Sequence, residues 1–113
     1  MPAPNYRKTK TMKDVSYKKI ILKVPKEFAD EISDKEIFDM VNDKALTKTE
    51  YYRSRCKEFE QKYGIDIDTF KKKLESDKHE KINEWDDLLI WEGFARAYVE
   101  WEIKYRELQK CGV

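Results

Sequence analysis

The segment Trp91–Leu108, WEGFARAYVEWEIKYREL, carries the strongest structural pattern in the chain. Its large side chains are separated alternately by three and four residues, which is the spacing of one helical face that packs in a coiled coil or lies in a groove. The pattern predicts a long amphipathic C-terminal helix. We define the aromatic seam as this face together with its upstream extension: Trp85, Leu88, Trp91, Phe94, Tyr98, Trp101, Tyr105 and Leu108.

Two interpretations of the aromatic seam are open from the sequence. In one, the seam packs on an earlier helix of the same chain and forms the internal core, which is the usual role of an apolar helix face. In the other, it binds a second macromolecule, because Trp and Tyr are the favoured anchors of protein interfaces. Gly93 lies inside this helix, where it costs about 1 kcal/mol relative to Ala. Its presence predicts a close approach by another segment or a slight bend.

A second long helix is predicted upstream of the seam. Ser33 and Glu36 have the spacing of a capping box, which predicts a helix that begins at Asp34. Apolar residues then recur at helical spacing as far as Gly64, which supplies the left-handed conformation that ends many helices. The predicted helix is therefore about 30 residues long, although Thr47 and Glu50 repeat the capping pattern inside it and leave a break near Thr47 open.

Shorter elements connect the two long helices. Asp66 has the position of an N-cap for a short helix from Ile67 to about Glu75. Residues 76–82, SDKHEKI, are polar and lack periodicity, which is typical of a linker. Asn83 is then the predicted N-cap of the last helix.

A single strand is predicted near the N-terminus. Ser16–Val24, SYKKIILKV, is rich in β-branched residues and stops at Pro25, which has no amide donor. A lone strand has unpaired edges, and its simplest partner is the same strand of a second copy, so the segment predicts a homodimer. Residues 1–15 are polar and basic with few large apolar groups, which predicts a disordered tail.

These elements together predict a mainly α protein. One short N-terminal strand is followed by three or four helices, of which the last is long and amphipathic. Residues 1–15 form a basic tail, 16–75 a dimerising and possible DNA-binding part, 76–82 a linker, and 83–113 a partner-binding helix.

Charge is distributed unevenly along the chain. Residues 1–24 hold seven Lys or Arg against one Asp, a net charge of +6, and since the whole chain has +1 the remainder has −5. A basic end favours nucleic acid as a partner, although a solubilising tail has the same composition. Two paired strands of a dimer would form a ribbon of the width that the major groove accepts. The predicted DNA-binding residues are Tyr17, Lys19 and Lys23 in the strand, with Arg7 and Lys8 in the tail.

The sequence contains no pattern typical of an active site. With one His and two distant cysteines, Cys56 and Cys111, it lacks the ligand spacing of a zinc site. His79 falls in the polar linker, and no Ser, Cys or Lys has a recognisable orienting partner. We therefore expect a non-enzymatic protein without metal or cofactor. The distant cysteines, the lack of a signal-peptide pattern and the lack of an apolar run of about 20 residues predict a soluble cytoplasmic protein.

Three stretches carry a family resemblance: KKIILKVPKEFADEIS over residues 18–33, EFEQKYGIDIDTFKKKLES over 58–76, and the final block with Trp85 and Trp91 among acidic residues. Together they resemble small archaeal antitoxins of type II toxin–antitoxin modules, over roughly residues 17–108. The N-terminus also looks partly like a ribbon-helix-helix protein, without that family's glycine turn. The resemblance implies an N-terminal part that dimerises and binds promoter DNA, and a C-terminal helix that neutralises a cognate toxin. The alternative is a structural or adaptor coiled-coil protein with no nucleic-acid role.

Overall fold

The computed structural model describes residues 16–77 and 81–111, and their regular structure consists of helices alone. The helices are α1 (Lys26–Ala29), α2 (Asp34–Tyr63), α3 (Ile67–Ser76) and α4 (Ile82–Gln109). The mainly helical class is confirmed. The strand predicted at Ser16–Val24 is not seen, and this segment has no regular secondary structure. A strand needs a neighbouring strand for its hydrogen bonds, and the described part of a single chain provides none.

The predicted ends of α2 are confirmed. The Ser33 hydroxyl accepts a hydrogen bond from the Glu36 amide at 3.1 Å, and the Ser33 amide donates to the Glu36 carboxylate at 3.4 Å. These two bonds are the capping box, and they satisfy amides that the helix itself leaves unpaired. At the other end Gly64 has a φ of 70°, and its amide donates to the Glu60 carbonyl at 2.7 Å. The chain can therefore turn sharply and start α3.

Helix α3 begins as predicted, but α4 does not. The Asp66 carboxylate accepts a hydrogen bond from the Thr69 amide at 2.7 Å. Hydrogen bonds from the side chain and the backbone of Thr69 lower the pKa of Asp66. Asn83 is not the N-cap of α4. The helix begins at Ile82, so Lys81 has the capping position, two residues before the predicted one. Lys81 makes no capping hydrogen bond; its ammonium group instead lies 3.4 Å from the Asp77 carboxylate.

Helices α2 and α4 form an antiparallel hairpin. Phe59 near the end of α2 stacks on Trp91 near the start of α4, with ring centroids 5.6 Å apart. At the far end of the hairpin, Gln109 donates a hydrogen bond to the side chain of Asn42 at 2.6 Å. Contacts therefore follow both helices over most of their length.

The buried core lies at one end of the hairpin, which we name the closed end. There α3 packs across α2 and α4 and places Phe70 and Leu74 against Leu88 and Trp91, all four of which are buried. The Tyr63 and Phe70 rings stack at 4.1 Å. Three helices thus meet around one aromatic cluster, and the hydrophobic burial there holds the short α3 in place.

In the described part of the chain, neither α3 nor the short α1 packs extensively on the opposite end of the hairpin, which we name the open end. The described residues span 66 × 29 × 19 Å, a long and narrow shape in which α3 covers only part of the hairpin. Large apolar side chains of α2 are exposed toward the open end, among them Ile37, Met40 and Val41. None of the helices in the described ranges combines the length and apolar character of a membrane crossing.

Candidate partner-binding groove

A groove of about 780 Å³ lies at the open end, between the first half of α2 and the second half of α4. The antiparallel arrangement of the two helices brings these two halves together. From α2 the groove is lined by Val41, Lys44 and Ala45. From α4 it is lined by Glu100, Trp101, Ile103, Lys104, Glu107 and Leu108. Residues outside the two helices complete its walls: Ser16, Tyr17 and Cys111.

The walls of the groove are mainly apolar. The ammonium group of Lys104 lies 4.3 Å from the centre of the Trp101 ring, a cation–π contact that occupies this lysine. Among the described residues no donor bonds to the Oε2 oxygen of Glu107, which is buried and so is not accessible from the groove. A buried carboxylate oxygen without a donor is unfavourable for the fold.

The first half of the aromatic seam belongs to the internal core. Leu88 and Trp91 are buried against α2 and α3. The Phe94 ring has its centroid 6.1 Å from the Tyr52 ring and 5.1 Å from the Arg55 guanidinium carbon. These side chains are already covered by their own chain. For this half of the seam, the structure matches the internal-packing interpretation.

The second half of the seam is only partly covered. Trp101 and Leu108 line the groove, and both remain partly exposed. Tyr98 and Tyr105 are also partly buried, and the Tyr98 hydroxyl donates to the Glu102 carboxylate at 3.0 Å. Trp85 lies at the other end of α4 and is exposed. The predicted partner-binding residues are therefore divided between the core, the groove and the outer surface.

A polar cluster joins α2 to α4 at the closed end. The Asp87 carboxylate accepts hydrogen bonds from the Lys62 ammonium group at 2.7 Å and from the Tyr63 hydroxyl. The bond from Lys62, and then that from Tyr63, lowers the pKa of Asp87. Burial, and then the bond to Asp87, raises the pKa of Tyr63. The cluster fixes the register of the two helices beside the core.

The structure places the predicted DNA-binding residues in two settings. Lys19 and Lys23 are exposed in the irregular segment before α1, whereas Tyr17 lines the groove while remaining exposed. The structure therefore does not group Tyr17 with a lysine face. Arg7 and Lys8 lie outside the described residues.

Sequence reasoning missed the α2 side of the groove. Val41 and Ala45 have the helical spacing of core residues, and Ala45 is indeed buried, but Val41 is exposed at the rim. Spacing identifies an apolar face; it does not tell how far a third helix covers that face. The available signal was the length of α3, since ten residues are too few to cover a hairpin of nearly 30 residues per helix.

Cys56 and the possible metal ligands are the remaining candidates for reactive chemistry. Burial, and then the charge of Glu60, raises the pKa of the Cys56 thiol to about 11, which disfavours the nucleophilic thiolate at neutral pH. No group of three or more His, Cys, Asp or Glu over residues 16–77 and 81–111 is arranged to hold a metal ion. His79 lies outside these ranges.

Comparisons with known proteins add no relative from which a function could be inferred. No protein family, curated protein or solved structure matches the chain.

Proposed function

We propose that this protein is an antitoxin-like binding protein that captures and neutralises a cognate toxin in the groove of its open end. One observation carries the proposal: Trp101 and Leu108 of the aromatic seam line an apolar groove that α3 does not cover. Trp101 and Leu108 supply aromatic and aliphatic anchors, and Trp is among the residues that contribute most to protein interfaces.

The shape of the groove favours a helix or an extended segment of the partner. It lies between two long helices, and such a site accepts a peptide segment along its length. The carboxylates among the lining residues, Glu100 and Glu107, favour a segment that presents a Lys or an Arg. The proposed partner is therefore a protein whose docking segment is apolar with a basic edge.

The N-terminal region has a second proposed role. Lys19 and Lys23 are exposed, and the basic residues 1–24 are suited to phosphate contacts with promoter DNA. An antitoxin that binds its own promoter commonly does so as a dimer with two-fold symmetry. The proposed assembly is accordingly a homodimer in the cytoplasm.

Co-expression with the adjacent open reading frame tests the proposed function. The neighbour alone should arrest growth, and the full chain should restore it. Trp101→Ala and Val41→Asp should each abolish the rescue, since both residues line the groove. Leu89→Ala is the matched control, because this exposed residue of α4 does not line the groove, and it should rescue fully. A harmless neighbour, or rescue that survives both groove variants, contradicts the proposal.

The second candidate is a structural or adaptor helical protein without a nucleic-acid role. It is favoured by the burial of Leu88 and Trp91, because a seam that packs internally builds a hairpin and needs no toxin. The two candidates predict different results in the same experiment. An adaptor would bind a partner through the groove while the neighbouring gene product has no effect on growth.

A further inference from the structure

The segment Lys18–Val24, which we name the N-terminal arm, is apolar and uncovered. Its Ile20, Ile21 and Leu22 side chains are 72%, 79% and 69% exposed. No backbone hydrogen bond joins the arm to another described part of the chain. Three consecutive large aliphatic side chains in water, next to unpaired backbone groups, mark an interaction site.

The groove and the arm are chemically complementary. The groove presents the apolar surfaces of Val41, Trp101 and Leu108, together with the charged side chains of Lys44, Glu100, Lys104 and Glu107. The arm presents aliphatic side chains and unpaired backbone amides. It also presents ammonium groups at three positions: Lys18, Lys19 and Lys23. Docking would cover the aliphatic side chains and let the ammonium groups of the arm approach the carboxylates of the groove.

The positions of the arm and the groove favour exchange between two copies. Ser16 and Tyr17 line the groove, but residues 18–24 do not, so the arm starts at the rim and leads away from its own groove. Because the arm and the groove lie side by side on one molecule, a two-fold axis can place the arm of each copy in the groove of the other. Such a contact closes at two copies and does not continue into a filament.

We propose that the free protein is a homodimer in which the N-terminal arm of each copy docks in the groove of the other. The dimer itself does not depend on the proposed function. The regulatory consequence of the dimer does depend on the proposed function. Because the arm and the toxin segment use the same groove, the dimer masks the binding site until a stronger partner displaces the arm.

Sedimentation equilibrium of the full chain tests the dimer. Ile20→Asp with Leu22→Asp should raise its dissociation constant about 100-fold or more, since each buried aliphatic side chain contributes about tenfold or more. Both residues are exposed within one copy, so the fold should survive. The matched control is Leu89→Asp with Ile90→Asp, at residues that are 65% and 50% exposed on α4, and it should leave the constant unchanged. A parent chain that stays monomeric at about 100 µM overturns the proposal.

The native Cys111 lines the groove, so disulfide cross-linking to it can show which segment occupies the groove. Under mild oxidation Ile20→Cys should give a disulfide between residue 20 of one copy and Cys111 of the other, located by peptide mass spectrometry. Ile20→Cys with Cys111→Ser should not give this product. A disulfide between these two residues within one chain would show that the arm occupies its own groove, and would overturn the exchange. Failure to form either disulfide would overturn docking.

The outcomes for the dimer and for the proposed function are separable. If the disulfide-linked dimer forms but the chain does not rescue growth, the proposed function fails and the dimer stands. If the chain rescues growth but remains monomeric, the dimer fails, the homodimeric assembly proposed for DNA binding fails with it, and the proposed toxin neutralisation stands.

Discussion

The role of a glycine in this chain depends on its backbone conformation, as Gly64 and Gly93 show. Gly64 ends α2 in the left-handed region, where a side chain is strained, whereas Gly93 lies inside α4. A Cβ atom added at either position would meet no atom within 4 Å. The expected close approach at Gly93 is therefore wrong, and only the backbone distinguishes the two sites.

This contrast gives a paired prediction. Gly93→Ala should raise the free energy of unfolding by about 1 kcal/mol, because Ala restricts the unfolded chain and favours the helix. Gly64→Ala should lower it by about 1 kcal/mol, because its φ is positive. Urea unfolding followed by circular dichroism measures both. Equal effects of the two substitutions would contradict this account.

Asp87 makes the free energy of unfolding depend on pH in the acid range. Its pKa is lowered in the folded state from the ordinary value of 3.8, first by the hydrogen bond from Lys62 and then by that from Tyr63. Since the unfolded state binds the proton more readily, the contribution of Asp87 is complete well above pH 3.8 and is lost as the pH falls through and below this value.

We expect Asp87→Asn to lower stability at pH 7 and to reduce the further loss as the pH falls from about 5 to well below 3.8. Urea midpoints measured across this range provide the test. Asp86→Asn, which changes the exposed neighbouring carboxylate, should keep the acid dependence of the parent. The idea fails if the two variants have the same pH profile.

At the scale of the element, one face of α4 lies in two different environments. Trp91 is buried in the three-helix core, while Trp101 borders the groove. Trp91→Ala should cost about 3–5 kcal/mol, since it removes a large buried side chain and leaves a cavity. Trp101→Ala should cost only about 1–2 kcal/mol, in line with its partial burial. Thermal and urea unfolding of the two variants compare these costs, and similar losses would contradict the division.

The irregular segment before α1 carries the proposed DNA contacts. Lys19→Glu with Lys23→Glu should weaken binding to DNA upstream of the gene and reduce the slope of log affinity against log salt by about 2. Lys48→Glu with Lys57→Glu changes the net charge equally on the exposed surface of α2 and should act much less. Fluorescence anisotropy over a salt series would measure both. Equal weakening by the two pairs would show that net charge alone matters.

The elements were more predictable from sequence than their pairing. Ser33, Gly64 and Asp66 act on their immediate neighbours, so their capping roles were recognisable without any tertiary information. Ser16–Val24 was different, because β-branched composition favours a strand but a strand also needs a partner. The N-cap of α4 was displaced by two residues, from Asn83 to Lys81, since the local ion pairs of Lys81 had no distinct pattern.

At the scale of the whole molecule, the candidate site was only half predictable. Of the seam residues predicted to bind a partner, Trp101 and Leu108 line the groove, whereas Leu88 and Trp91 are buried. All four have the same heptad spacing. Their difference arises from α3, which returns over the closed end and stops before the open end. Coverage by a third helix depends on chain direction after Gly64, and periodicity carries no information about direction.

The uneven coverage of the hairpin has a kinetic consequence for its backbone. Amides of α2 and α4 beside Phe59 and Trp91 can lose protection only when the core opens, so their hydrogen–deuterium exchange should approach the rate set by global unfolding. Amides near Val41 and Leu108 should exchange faster through local fraying. Exchange followed by mass spectrometry should therefore reveal a gradient along both helices, and an occupant of the groove should slow exchange chiefly at the fast end. A uniform rate along α2 would show that the hairpin opens as one unit.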